Sequence, residues 1–305
     1  MIVLRDSSPL TARCFGAVVA LGNFDGLHLG HKAVIEEAVS LAGSAGKPAM
    51  VMTFEPHPRR LFRPDLPNLR ILPLSGKIRL MREMKVDFVR IVRFTRAFAA
   101  TSPEDFVTRI LHETLRVSHV VTGSDFVFGH NREGNADSLR AMAGRLGFAA
   151  TACAPVMVEG GRCSSTRIRE ALGAGDMVQA QKLLGRPYSI MGHVQGGDRR
   201  GRELGFPTAN IPLPPVFLPA YGIYAVRARV CGKRVKGVAN LGIRPDFPLA
   251  SPLLEVHLFD WRQDIYGERM EVEFVRHIRE ERKFDGVEAL KKQMVDDCKK
   301  ALSFL

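Results

Sequence analysis

The chain has 305 residues, 46% of them hydrophobic, and a formal charge of +12 at pH 7. That apolar content supports sizeable buried cores and excludes a disordered chain. No apolar run reaches the ~18 residues that span a bilayer, and residues 17–21 are too short a run for a signal peptide, so a cytoplasmic protein is expected. Such a charge suits nucleic acid, a membrane surface or small anions. The densest basic runs, Arg199-Arg200-Gly201-Arg202 and Lys233-Arg234-Val235-Lys236, are short, and no aromatic-rich RNA-binding pattern accompanies them. Phosphate-bearing small molecules are therefore the expected partners, with no nucleic acid and no membrane. Five cysteines without a CxxC pair read as free thiols of a reducing compartment. Nothing in the sequence sets an oligomeric state.

Residues 17–21 read as a buried strand, followed by GNFDGLHLGH at 22–31 and a helical pattern from His31 through Val34, Ala38 and Leu41. Gly22, Gly26 and Gly30 let the backbone turn tightly and approach a ligand. A strand, a glycine-rich turn and a helix start together present N–H groups and a helix dipole to phosphate. His28 and His31, three residues apart, can donate hydrogen bonds to phosphate oxygens as charge builds there. Two surface histidines beside an ordinary turn, or a zinc pair, are the other readings; the zinc pair lacks an HExxH helix and a nearby third ligand.

Strands are expected over 49–54, 88–92 and 119–122, and helices over 76–84, 103–115 and 136–146. Ser102 is the expected cap of the second helix, with Pro103 at its first position and Glu104 and Asp105 at its positive end. This alternation predicts a parallel sheet with helices on both faces and ligands at the strands' carboxyl ends. Three more strings fall at such ends. In TFEPHP (53–58), Phe54 either offers a flat face to a ring or packs in the core. In GSDFVFG (123–129), Asp125 can bind a ribose or amino group, and Phe126 and Phe128 either face a ligand or pack. In CSSTRIR (163–169), the hydroxyls either cap a helix or join Arg169 in gripping a triphosphate.

A short helical pair is expected over 168–184, and Gly185-Arg186-Pro187 ends it, which places the domain boundary near 185. Beyond it, period-two alternation takes over: Tyr224, Val226, Ala228 and Val230 against Arg227 and Arg229, and Leu254, Val256 and Leu258 against Glu255, His257 and Phe259. Short strands with frequent turns predict a small antiparallel barrel. Asp285 with Glu288 resembles a capping box, opening a terminal helix with Val287, Leu290, Met294 and Cys298 on one face. Two glycine-rich stretches, 192–198 and 201–210, flank phosphate space without a P-loop. Thr208 and Asn210, two apart in an extended segment, point the same way and are hard ligands suited to Mg²⁺. Glu255 is either a general base or a solvent-facing strand residue.

Taken in order, GxFDGxHxGH, TFEPHP, GxDFxFG and SSTxIR resemble the adenylyltransferase module of the bacterial bifunctional riboflavin kinase/FMN adenylyltransferase (FAD synthetase) family. GxVxxGxxxGxxLGFPTAN, YGIYAV, GVANLGIRP, LLEVHLFD and IREERKFD resemble its riboflavin kinase module. The resemblance, over about residues 15–300, implies a Rossmann-like α/β nucleotidyltransferase domain (1–184) followed by a small antiparallel β-barrel domain with a C-terminal helix (185–305). It implies conversion of riboflavin and ATP to FMN, then of FMN and ATP to FAD and pyrophosphate, with Mg²⁺. By the same resemblance His28 and His31 stabilise the α-phosphate and leaving group. Gly22, Asn23, Phe24, Asp25, Gly30, His57, Asp125, Ser164, Ser165, Thr166 and Arg169 contact nucleotide in the first half, and Gly205 and Pro207 do so in the second. Phe54, Phe126, Phe128 and Arg279 contact flavin, with the Asp285 region closing over it; Thr208 and Asn210 hold Mg²⁺, and Glu255 is the base. Asp246 stands where the family commonly has Thr, which bears on loop conformation and substrate affinity.

Overall fold

A computed structural model describes residues 1–6, 8–63, 65, 68–196, 201, 204–243 and 252–305. Asp246, Asp198 and Arg199, Arg200 and Arg202 lie outside the described residues. The chain forms two compact units, Met1–Ser165 and Thr166–Leu305.

The first unit runs β1 (Ile2–Leu4), β2 (Val18–Leu21), α1 (Leu29–Ala45), β3 (Ala49–Glu55), α2 (Pro58–Phe62), α3 (Leu74–Glu83), β4 (Phe88–Arg93) and α4 (Arg96–Ala99). It continues through α5 (Pro103–Asp105), β5 (His119–Gly123), β6 (Val127–Phe128), β7 (Gly134–Asn135), α6 (Ala136–Arg145), β8 (Ala149–Cys153), β9 (Met157–Val158) and β10 (Gly161–Arg162). Six parallel strands make the sheet, in the order β1-β4-β3-β2-β5-β8. Its faces are both covered, as a near-continuous apolar run in each strand requires. Val19 and Leu21 pack to one side with Phe106, Leu111, Leu139 and Met142; Val18 and Ala20 pack to the other with Ile35 and Ala38 of α1 and Met81 of α3. From β2 the chain steps through β3 to β4, then returns to lay β5 on the opposite side of β2. The carboxyl ends of β2 and β5 therefore border the point where strand order reverses, the place where open α/β sheets bind ligands.

The expected helix over 103–115 is a short α-helical turn that continues as a π-helix, Phe106–Thr114. Ser102 caps it as expected, its Oγ accepting from Asp105 N–H at 3.0 Å. β1 escaped the sequence reading because three residues carry no measurable period.

The second unit holds α7 (Ser165–Gly173, after its first residue), α8 (Met177–Leu184), β11 (Tyr188–His193), β12 (Ala209–Pro212), β13 (Gly222–Val230), β14 (Lys233–Ile243), β15 (Pro252–Leu258), β16 (Arg269–Arg279) and α9 (Val287–Leu302). The strands form one antiparallel sheet, β11-β16-β13-β14-β15-β12, and a bridge between Gln195 and Asn210 brings its two edges together as a nearly closed barrel. Tyr224, Val226, Ala228, Leu254, Val256 and Phe274 fill the inside. Ala225, Ile278 and Ala301 form a second, smaller cluster where α9 packs on the barrel's outer face.

The units divide ahead of the compositional change at 185. The helical pair continues the rhythm of the first half, yet α8 packs on β11 and β16, and Ala220 N–H donates to the Leu172 carbonyl (2.9 Å). Packing, not local pattern, assigns it to the barrel. The expected capping box at Asp285 does not form: Gly286, at φ 103°, occupies the cap with no side-chain hydrogen bond, and Val287 is exposed.

Candidate active sites

In the first unit the turn after β2 is held in strained backbone. Phe24 (φ 50°) and Leu27 (φ 43°) occupy the left-handed region that non-glycine residues rarely adopt. The surroundings over-determine them. Asp25, 3% exposed, accepts the Ile71 N–H at 2.8 Å, and Thr53 Oγ of β3 donates to the Asn23 carbonyl at 3.0 Å. Lys77 of α3, 2% exposed, also donates to the Asn23 carbonyl (3.3 Å) and pairs with Glu55 at 3.1 Å; Arg70 pairs with the same Glu55. Burial pulls the Lys77 ammonium below its ordinary pKa, and Glu55 opposes that pull.

Helix α1 starts at Leu29, so its cap is His28, which accepts the His31 N–H on Nδ1 at 3.2 Å. A neutral imidazole that accepts on Nδ1 carries its proton on Nε2, which makes that nitrogen a donor. The rings of His28 and His31 stack with centroids 3.5 Å apart, and the Phe24 ring meets His31 edge-on at 5.4 Å. Gly30 leaves room for this stack: a Cβ there would lie 3.1 Å from the His28 ring. At Gly22 a Cβ would lie 3.1 Å from the Phe24 ring.

The structure brings the other strings to this turn unevenly. Within the first unit Ser165 Oγ donates to the Asp25 carbonyl at 2.9 Å, with Ser164 half-buried beside it. Thr166 and Arg169 follow in α7, within the second unit. Asp125 is exposed after β5 and pairs with Arg162. His57 caps α2 by accepting the Arg59 N–H at 3.2 Å. Phe54 and Phe128 sit in the core, 8% and 7% exposed. Phe54 packs against Phe94 and Phe98, and Phe128 against Phe106, so their faces are taken by protein. Phe126, stacked on Phe128, is the one that stays partly exposed.

In the second unit, register assembles a polar row. Asn210 of β12 stands directly opposite Glu255 of β15, and Glu255 directly opposite Asn240 of β14. Paired residues share a face, so the three side chains line up across three strands. That face forms one wall of a cavity of about 740 Å³, within the usual range for small-molecule sites. Thr208, Pro207 and Trp261 line it too, and Leu290, Met294 and Cys298 of α9 form the facing wall. Burial pushes the Cys298 thiol up to about 11, so at neutral pH it is an uncharged wall residue. Gly205 (φ 86°) turns the loop before Pro207, whose carbonyl accepts from His257 Nδ1–H at 2.8 Å. Arg279 borders the cavity, but its guanidinium is committed to α9: Nε and Nη2 bond the buried Asp297 carboxylate at 2.9 and 2.6 Å. Its main observed role is to dock that helix.

Sequence reasoning passed over Lys77, Asn240 and Trp261. Lys77 sits in an ordinary helical pattern, and Asn240 carries a role only once β14 is paired with β15.

A parallel α/β unit with a glycine turn at a helix start and, in the same chain, a barrel with a polar-walled cavity are the arrangement of a two-unit transferase. Comparison with known proteins gives the particular family. Residues 12–167 match the FAD synthetase family and residues 184–305 the riboflavin kinase family. The bifunctional riboflavin kinase/FMN adenylyltransferase of Haemophilus influenzae is 41% identical over 95% of this chain and 94% of its own length. Those of Escherichia coli (40%; 92% and 90%) and Bacillus subtilis (38%; 94% and 92%) are similar to it to nearly the same degree. A crystallised Streptococcus pneumoniae protein described as a macrolide-efflux protein superposes with a TM-score of 0.88 at 32% identity, over 97% of both chains. Among the described residues no helix of this chain is long and apolar enough to cross a membrane. The chain belongs to the bifunctional riboflavin kinase/FMN adenylyltransferase family, and it is an enzyme of FAD biosynthesis.

Proposed function

We propose that the second unit phosphorylates riboflavin in the 740 Å³ cavity and that the first adenylylates the resulting FMN at the glycine turn. The observation that carries this reading is the register that sets Glu255 between Asn210 and Asn240 on the cavity wall. Glu255 takes the proton of the ribityl 5′-hydroxyl; the oxygen attacks the γ-phosphorus of ATP, and the bond to ADP breaks. An all-oxygen donor set, the Thr208 hydroxyl and the Asn210 amide beside the Glu255 carboxylate, fits Mg²⁺ rather than a softer metal. Thr208 and Asn210 would hold the ion together with nucleotide phosphates, and its charge would neutralise that of the transferred group. Gly205 and Pro207 place the loop backbone against the same nucleotide.

In the first unit an FMN phosphate oxygen attacks the α-phosphorus of the second ATP, and the bond to the β-phosphate oxygen breaks. His28 donates from Nε2 to the charge that develops there, and the stacked His31 supports it. The α1 N-terminus and the N–H groups of residues 22–31 add positive potential. Ser164 contributes its hydroxyl, Ser165 holds the turn through Asp25, Asn23, Asp125 and His57 orient nucleotide, and Phe126 offers a ring face to flavin. Among the described residues no cysteine forms a disulfide, which suits a reducing cytoplasm. Incubating the protein with riboflavin, ATP and Mg²⁺ and separating products by chromatography tests the reading: FMN appears first and FAD follows. Formation of neither would refute it.

A further inference from the structure

Within the polar row, Asn240 stands apart. Its Oδ1 atom is sealed from solvent and has no hydrogen-bond partner among the described residues. It borders the cavity and faces Glu255 in register. A buried amide oxygen left unpaired is destabilising, so native folds hold few of them, and each calls for a reason. The missing partner must be a donor. Nucleotide phosphates at neutral pH offer acceptors only, and the proposed metal ligand Asn210 lies on the other flank of Glu255. The ribose hydroxyls and adenine amino group of a nucleotide lie far from its transferred phosphate, so the donor beside the hydroxyl that meets Glu255 is the adjacent alcohol of the polyol substrate.

We propose that Asn240 is a substrate-binding residue whose Oδ1 accepts a hydrogen bond from the secondary hydroxyl next to the primary hydroxyl that Glu255 deprotonates. This inference rests on the riboflavin kinase reading of the cavity. Asn240 thereby makes the enzyme selective for a chain bearing that hydroxyl and sets the reacting oxygen against the base.

The test compares riboflavin with 4′-deoxyriboflavin on the full-length wild type and on Asn240→Leu, which keeps the volume and removes the amide. Wild type loses about tenfold in kcat/KM on the deoxy analogue, the worth of one hydrogen bond. Asn240→Leu loses about tenfold on riboflavin and little more on the analogue, because the lost partners are each other's. Its melting temperature stays level or rises, since an unpaired polar atom has been removed. Asn240→Ala gives the same comparison if the leucine variant does not fold. Losses that multiply to about a hundredfold when both changes are combined would overturn the assignment. So would a raised Mg²⁺ requirement in the variant with its discrimination against the analogue intact. Wild type that makes no FMN at all would instead refute the kinase reading itself.

Discussion

Replacing Lys77 by methionine tests whether the glycine turn is held from below by a buried charge. The Lys77 side chain is 3% exposed, and its Nζ lies 3.1 Å from Glu55 and 3.3 Å from the Asn23 carbonyl. Methionine keeps the apolar stem and deletes the ammonium. Removing one partner of a buried ion pair costs about 3–5 kcal/mol when the other charge is stranded. Here Glu55 keeps Arg70, so the lower end, about 3 kcal/mol, is expected. For a unit of this size that lowers the melting temperature by about 6–12 °C. The Asn23 carbonyl also loses a donor, so FAD formation from added FMN falls while FMN formation from riboflavin holds. Scanning calorimetry and the two product assays read this. A shift of about 1 °C or less with FAD synthesis intact would refute the reasoning. The pH dependence carries a sign. Between the lowered Lys77 pKa and 10.5 the unfolded chain binds more protons than the folded one, so stability gains with pH in that window. The advantage of wild type over Lys77→Met therefore widens on the alkaline side; a narrowing would contradict the burial argument.

His28→Ala combined with His31→Ala lowers FAD formation by about 10²–10³-fold and leaves FMN formation unchanged, as steady-state assays of each half-reaction will read. Glu255→Gln lowers riboflavin phosphorylation by about 10²–10⁴-fold and leaves adenylylation of supplied FMN intact; an unchanged phosphorylation rate would remove Glu255 as the base. The single tryptophan, Trp261, lines the cavity proposed to hold riboflavin, so riboflavin should quench its emission saturably. Quenching that stays linear after absorbance correction would show the flavin binds elsewhere.

Local pattern carried much of the fold. The apolar runs of β2 to β5 and the period-two alternation at 224–230 each describe which face a backbone buries, and burial follows from water and sequence spacing alone. The Ser102 cap was equally legible, because a cap bonds a neighbour three residues on. Spacing left open what depends on partners far apart in sequence. Phe54 and Phe128 read equally as stacking faces or core residues, and Phe94, Phe98 and Phe106 pack against them in the fold. Arg279 looks like a ligand contact until Asp297 of α9 claims its guanidinium.

By itself the sequence determined the glycine turn ahead of α1 and the pair His28 and His31 at its mouth, because each is set by spacing within a few residues. Only the tertiary structure decided that Glu255 stands between Asn210 and Asn240. It also decided that Lys77 supports the Asn23 carbonyl from 54 positions along the chain, and that α9 walls the barrel's cavity. Those are matters of strand register and packing, and no local pattern encodes which distant residues a folded chain will set against one another.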